Sequence, residues 1–148
     1  MKYSGWLIAA ALLGGAVVWQ FNRGERQPLS PPLPASPPFT PSTAFDGEWQ
    51  GERFDESGDS ICLPTAVVGS IKNGAVKLKL SYNNTYLLGW ISEQGELVLY
   101  SDSLRWGYRF TGQYQQDSGS SDRPRIAGHW RVTNALCQGT WYVAPVNE

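Results

Sequence analysis

The chain has 148 residues and a mass of 16.4 kDa, room for one compact domain plus terminal segments, since domains run to roughly 100–200 residues. A formal net charge of -1 and a pI near 5.8 leave no excess of cations to neutralise a run of phosphates, which excludes a dedicated nucleic-acid binder. Two cysteines and one histidine are too few for a closed zinc ligand set, no CxxC or HExxH spacing occurs, and no metal or other cofactor is expected.

The N-terminal part, residues 1–22, carries the uncharged run Trp6 to Trp19 within an apolar stretch from Gly5 to Phe21. That is close to the lower limit of roughly 17 residues for a membrane-spanning helix. Trp6 and Trp19, with Tyr3 and Phe21 outside them, stand where an aromatic belt meets the two headgroup layers. Cleavage by a signal peptidase needs small residues after the apolar run, but Val17, Val18, Trp19, Gln20, Phe21 and Asn22 follow; an uncleaved signal anchor is therefore expected, with secretion after cleavage as the alternative. Lys2 on one side nearly balances Arg23 and Arg26 on the other. The tie is broken by the cysteines, whose disulfide would persist outside the cytoplasm, so the amino end is placed in the cytoplasm and the remainder outside it, which is the periplasm if the cell is Gram-negative.

Residues 23–43 form a linker. Half of the segment Pro28 to Pro41 is proline, which lacks the N–H needed for a sheet ladder and prefers extended polyproline II. At about 3.1 Å per residue it reaches at most about 40 Å, and it reads as a stalk rather than a docking motif.

Residues 44–148 form the globular unit, and it reads as all-β. Turn signals recur at Glu56–Asp59, Asn73-Gly74, Asn83-Asn84, Gln94-Gly95, Asp102-Ser103, Asp117–Asp122 and Asn134, the spacing of short strands. Val76, Leu78 and Leu80 alternate with Lys77 and Lys79; Trp106, Tyr108 and Phe110 with Arg105 and Arg109; Ile126, Trp130 and Val132 with His129 and Arg131. One face of each strand is core and the other wet. Strands are expected near 46–54, 62–71, 75–82, 85–92, 96–101, 104–115, 124–133 and 136–143. Eight sequential antiparallel strands leave two exposed edges unless the first pairs with the last, which predicts a small up-and-down barrel, with a β-sandwich as the alternative.

Cys62 and Cys137 lie near the two ends of this sheet, 75 residues apart, and a disulfide between them would add roughly 4 kcal/mol by the chain-entropy estimate. With no CxxC or adjacent base it has no catalytic role.

Gly47-Glu48-Trp49, Gly128-His129-Trp130 and Gly139-Thr140-Trp141 share the pattern Gly-x-Trp, in strands that closure would make neighbours. A glycine beside an indole leaves room for the ring across its own or an adjacent strand. With these residues the chain resembles small lipocalin-like and avidin-like barrels, whose first strand carries Gly-x-Trp, here Gly47 to Trp49. It also loosely resembles the single-disulfide barrels of periplasmic protease and lysozyme inhibitors. These resemblances imply binding rather than chemistry, either of a small apolar ligand in the barrel or of a protein at its rim.

Candidate surfaces follow from charge. Asp46, Glu48, Glu52, Asp55, Glu56 and Asp59 make an acidic first strand and turn, offset by Arg53; the spacing is not that of an EF-hand, and Asp55 and Glu56 are expected on a solvated hairpin able to face a basic protein partner. Arg105, Arg109, Arg125 and Arg131 fall on the polar faces of adjacent strands, where cross-strand pairing with carboxylates is the ordinary explanation. Arg105 and Arg109 beside Trp106 and Tyr108 could instead stack and hydrogen-bond a glycan. Asn83-Asn84-Thr85 matches a glycosylation sequon and equally suits a tight turn. His129, the single imidazole, alternates with Trp130 and should point outward. No catalytic group is expected. The reading is a membrane-anchored, non-enzymatic binding or accessory module of an envelope complex with a protein partner; the alternative is a periplasmic barrel that binds a small ligand or inhibits an enzyme.

Overall fold

Alternation at a period of two carries through every strand, and the inward phase is apolar almost throughout. In the computed structural model, which describes residues 32–58, 62–103, 105–116 and 124–146, the strands are β1 (Gly47–Asp55), β2 (Thr65–Lys72), β3 (Ala75–Leu80), β4 (Thr85–Ile91), β5 (Glu96–Ser101), β6 (Tyr108–Gln115), β7 (Arg125–Val132) and β8 (Gln138–Pro145). Each pairs antiparallel with the next, and β1 pairs with β8 from Trp49 opposite Pro145 to Asp55 opposite Gly139. The sheet is a closed eight-stranded barrel, not a sandwich. The expected membrane anchor and the long turn at Asp117–Asp122 lie outside the described residues. Among the described residues no helix is long and apolar enough to cross a membrane.

Three strand starts fall two or more residues later than the sequence suggests. β2 begins at Thr65, because Cys62 is drawn away into the disulfide and Pro64 has no N–H to contribute. β6 begins at Tyr108 instead of 104: the Ser103 hydroxyl accepts from the amides of Arg105 and Trp106 at 3.1 and 3.0 Å and turns that stretch into a loop. β8 runs from Gln138 rather than 136.

The Asn73-Gly74 turn behaves as its composition requires. Both residues have positive φ, 53° and 79°, between Lys72 and Ala75, which face each other as the last pair of β2 and β3. Asp46 fixes it from outside, its carboxylate accepting from the amides of Asn73 at 2.7 Å and Gly74 at 3.0 Å.

Side chains fill the middle of the barrel. Val67, Leu80, Leu87, Leu99 and Phe110 are fully enclosed, and Trp141 nearly so, as expected for a barrel of this strand number. The room for three indoles comes from the neighbouring strand: Trp49 faces Gly69, Trp130 faces Gly139 and Trp141 faces Gly128. A Cβ on Gly112 would lie 2.7 Å from the Trp141 ring, and one on Gly128 would overlap the Thr111 carbonyl oxygen. Every one of these indole N–H groups is satisfied, Trp49 donating to Phe45 O at 2.9 Å, Trp130 to Phe54 O at 2.8 Å and Trp141 to Thr111 O at 2.9 Å. The Gly-x-Trp pattern is therefore a packing device.

The two ends of the barrel differ. At one, the end of the proline-rich segment lies against the wall: Pro41 forms a bridge with Ser92, Ser42 N donates to Ile91 O at 2.9 Å, and Phe45 packs on Tyr114 with ring centroids 4.7 Å apart. At the other, the β1–β2 and β7–β8 connections are joined by the Cys62–Cys137 disulfide, Cα atoms 5.6 Å apart.

Candidate functional site

The disulfide-pinned end opens into a cavity of about 230 Å³. Tyr108 and Trp130 rise into it from β6 and β7, both on the inward phase, and Trp106 reaches it from the loop before β6. Cys62 and Cys137 form part of the wall. Its surroundings are apolar and wet: Tyr82, which lines it, is 56% exposed, and Leu63 and Leu136, next in the chain to the wall cysteines Cys62 and Cys137, are 46% and 82% exposed. Apolar side chains so exposed around one opening mark a binding surface better than the same residues scattered singly.

Arg53 lies at the cavity floor. Counting by twos along β1 from Trp49 through Gly51 places it inward, and it is 3% exposed. Its guanidinium carbon is 4.2 Å from the centroid of the Trp130 ring and 5.5 Å from that of Tyr108. Nη2 donates to Leu63 O at 2.7 Å. Nε and Nη1 are buried without a hydrogen-bond partner among the described residues. The Tyr108 hydroxyl accepts from Asn83 Nδ2 at 3.0 Å, which leaves its own proton to donate.

The sequence did not single out Arg53; its charge reads there as an offset to the acidic residues around it. The structure limits that offset to Asp55, whose carboxyl the Arg53 charge helps to hold down, since Glu48 and Glu52 are exposed on the outer phase of β1 while Arg53 occupies the inner one. Alternation from Trp49 was the available signal.

Of the surface expected from the sequence, Arg105, Trp106 and Tyr108 gather at the mouth, with the Arg105 guanidinium carbon 5.5 Å from the Trp106 ring centroid. Tyr108, however, is buried, and Trp106 does not share a strand with it. Arg109 lies elsewhere, on the outer wall over Tyr100 at 5.6 Å. There it borders a groove of about 300 Å³ with Glu56, His129 and Arg131. The carboxylate partners expected for these arginines are not their cross-strand neighbours: Arg109 faces Tyr100 and Arg131, and Arg131 faces Arg109 and Gln138. His129 is exposed, between Thr111 and Thr140 on the adjacent strands.

Asp55 caps a turn. Its carboxylate accepts from the Ser57 hydroxyl at 2.6 Å and from the Ser57 and Gly58 amides at 3.1 Å each. The Ser57 hydroxyl above all, then those amides and the charge of Arg53, hold the carboxyl below its ordinary 3.8 against a desolvation cost. Among the described residues no group of three His, Cys, Asp or Glu side chains could hold a metal ion. Asn83 and Asn84 form a turn, with Asn84 at φ 56° and Asn83 Oδ1 accepting from Thr85 N at 3.2 Å. No family model matches the chain, and neither a curated protein nor a solved structure matches it.

Proposed function

We propose that this chain is a membrane-tethered, extracytoplasmic recognition module, non-enzymatic, that engages a protein partner of the cell envelope through the disulfide-pinned mouth of its barrel. The observation that carries this reading is the aromatic cavity lined by exposed Tyr82 and by Cys62 and Cys137, whose chain neighbours Leu63 and Leu136 are also exposed. The Cys62–Cys137 disulfide supports residence outside the cytoplasm. An anchor in residues 1–22 would enter through Pro41 and Phe45 at the opposite end, so that the mouth faces away from the membrane. Binding rather than catalysis at the mouth is favoured by an imidazole that lies on the outer wall, outside the mouth cavity, and by a cavity whose wall carries no carboxylate among the described residues. A carrier holding its ligand inside the barrel, which the lipocalin-like resemblance implies, is disfavoured by the filled interior.

The test is photo-crosslinking of the full chain in its own membranes, with the reactive residue placed at Tyr82 or Leu136 on the rim, or at Val68 or Lys77 on the outer wall. A discrete adduct from the rim positions alone is expected. Equal adducts from rim and wall, or none from either, would overturn the reading.

A further inference from the structure

We infer that the mouth cavity is a site for a carboxylate carried on a compact apolar body, with Arg53 as the residue that binds the anion. The inference deepens the recognition role above and rests on it in using the same mouth. A guanidinium keeps its charge at any ordinary pH, so burial cannot be relieved by losing a proton. Here that charge is enclosed, yet one protein carbonyl, Leu63 O, accepts from it, and Nε and Nη1 have no partner among the described residues. Buried polar groups in folded proteins are almost always paired, and a buried cation left with open donors is the arrangement that an incoming anion completes.

Among the described residues no carboxylate lines the cavity beside those donors. Asp55, two residues along the same strand, is the carboxylate whose titration feels Arg53, but its oxygens are taken by Ser57 and Gly58. The rings of Trp130 and Tyr108 lie against the guanidinium and leave an apolar wall beside the open donors. A hydrated inorganic ion would meet those rings with its water shell, whereas an organic acid places its apolar part on them and its carboxylate on Arg53 and the Tyr108 hydroxyl. At about 230 Å³ the space is below the roughly 300–1,000 Å³ of ordinary small-molecule sites, which limits the body to about the size of one aromatic or branched side chain. Such a group comes either as a free acid or as the last residue of a partner chain.

The experiment titrates the oxidised full-length protein in mild detergent with phenylacetate and with phenylacetamide, and with a capped tripeptide ending in phenylalanine as the free acid and as the amide. Binding is read by calorimetry and by the Arg53 Nε–H resonance. The acids are expected to bind at least about tenfold more tightly than their amides, the differential that one charge-assisted hydrogen bond supplies, and to shift the Arg53 signal; preference for the peptide over phenylacetate would identify a chain end as the source. Arg53→Met should abolish the discrimination and Arg53→Lys should retain part of it. Acid and amide binding within threefold of each other, or no movement of the Arg53 signal with any probe, would overturn the inference. The acid-to-amide comparison on the wild type decides the matter even if a variant fails to fold. Rim crosslinks without acid selectivity would remove the inference and leave the recognition role standing, and loss of both would remove both.

Discussion

Replacing Arg53 with methionine distinguishes a cation built in for stability from one held open for a ligand. In the folded domain the guanidinium gains a charged hydrogen bond to Leu63 O, worth roughly 1.5–3 kcal/mol. Its contacts with Trp130 and Tyr108 add about 2 kcal/mol when desolvated. Against these stand several kcal/mol of effective desolvation for an enclosed ion, a cost that includes Nε and Nη1, buried without partners among the described residues. The two sides lie within a few kcal/mol of each other. Methionine keeps an unbranched stem and can set its sulfur against the Trp130 ring. The carbonyl it leaves behind belongs to Leu63, a residue 46% exposed. Arg53→Met is therefore expected to leave the ligand-free protein unharmed or more stable, by about 0–2 kcal/mol. The assay is guanidinium chloride unfolding of the oxidised protein followed by near-ultraviolet circular dichroism. A loss of about 3–5 kcal/mol, the usual result of deleting one member of a satisfied buried pair, would refute the reasoning, because it would mean that Arg53 is already fully partnered within the fold.

Reduction of the Cys62–Cys137 bond opens a closed loop spanning 75 residues and should lower the unfolding free energy by about 4 kcal/mol, measured as the difference between oxidised and reduced denaturation curves; a change below about 1 kcal/mol would argue that the denatured chain is already held compact. Gly128→Ala forces a methyl onto the Thr111 carbonyl across β6 and β7 and should cost about 3 kcal/mol or more in the same measurement, unlike a surface substitution on those strands. Asp46→Ala removes two hydrogen bonds from the β2–β3 turn and should cost about 1–2 kcal/mol, with amide exchange accelerated first at Asn73 and Gly74. The Asp55 carboxyl, held below 3.8 in the native state by Ser57, contributes stability that is present above the unfolded value and is lost as pH falls through the lower native one. Carbon-13 titration should show Ser57→Ala moving the Asp55 midpoint up toward 3.8.

Closure of the barrel was the favoured reading because three signals agreed: alternation at a period of two, an Asn-Gly turn that admits one hairpin geometry, and eight sequential strands whose two exposed edges closure removes; the same signals left a β-sandwich open, and the β1–β8 pairing decides between them. The pairing of indoles with glycines was only half legible. Gly-x-Trp is visible within one strand, but the glycine facing each ring belongs to the next strand, Gly69 for Trp49 and Gly128 for Trp141, and register across a sheet is a property of two segments and their turn. The start of β6 was lost for a different reason. Trp106, Tyr108 and Phe110 continue a perfect alternation, and nothing in that alternation reveals that the Ser103 hydroxyl takes the amides a strand would need. Side-chain competition for backbone donors acts over two or three residues and overrides hydrophobic period at strand ends.

Arg53 is the informative failure. Glu52 precedes it and Asp55 and Glu56 follow just past Phe54, and composition therefore assigns it to a solvated acidic turn, whereas its phase from Trp49 assigns it to the core. Phase prevailed, because a one-residue slip of β1 would carry Trp49 out of the barrel and break the β1–β8 seam. Among the described strands it is the one cation on the inward phase, and the fold tolerates it by covering the charge with Trp130 and Tyr108 while leaving two of its nitrogens unpaired. A charged residue out of step with the pattern that surrounds it is a local inconsistency in an otherwise consistent sequence, and such conflicts are expected where function has overruled stability. The same logic explains why the residues first singled out for charge on the outer wall, Arg109 and Glu56, carry less weight: on an exposed face a charge agrees with its surroundings and needs no further cause.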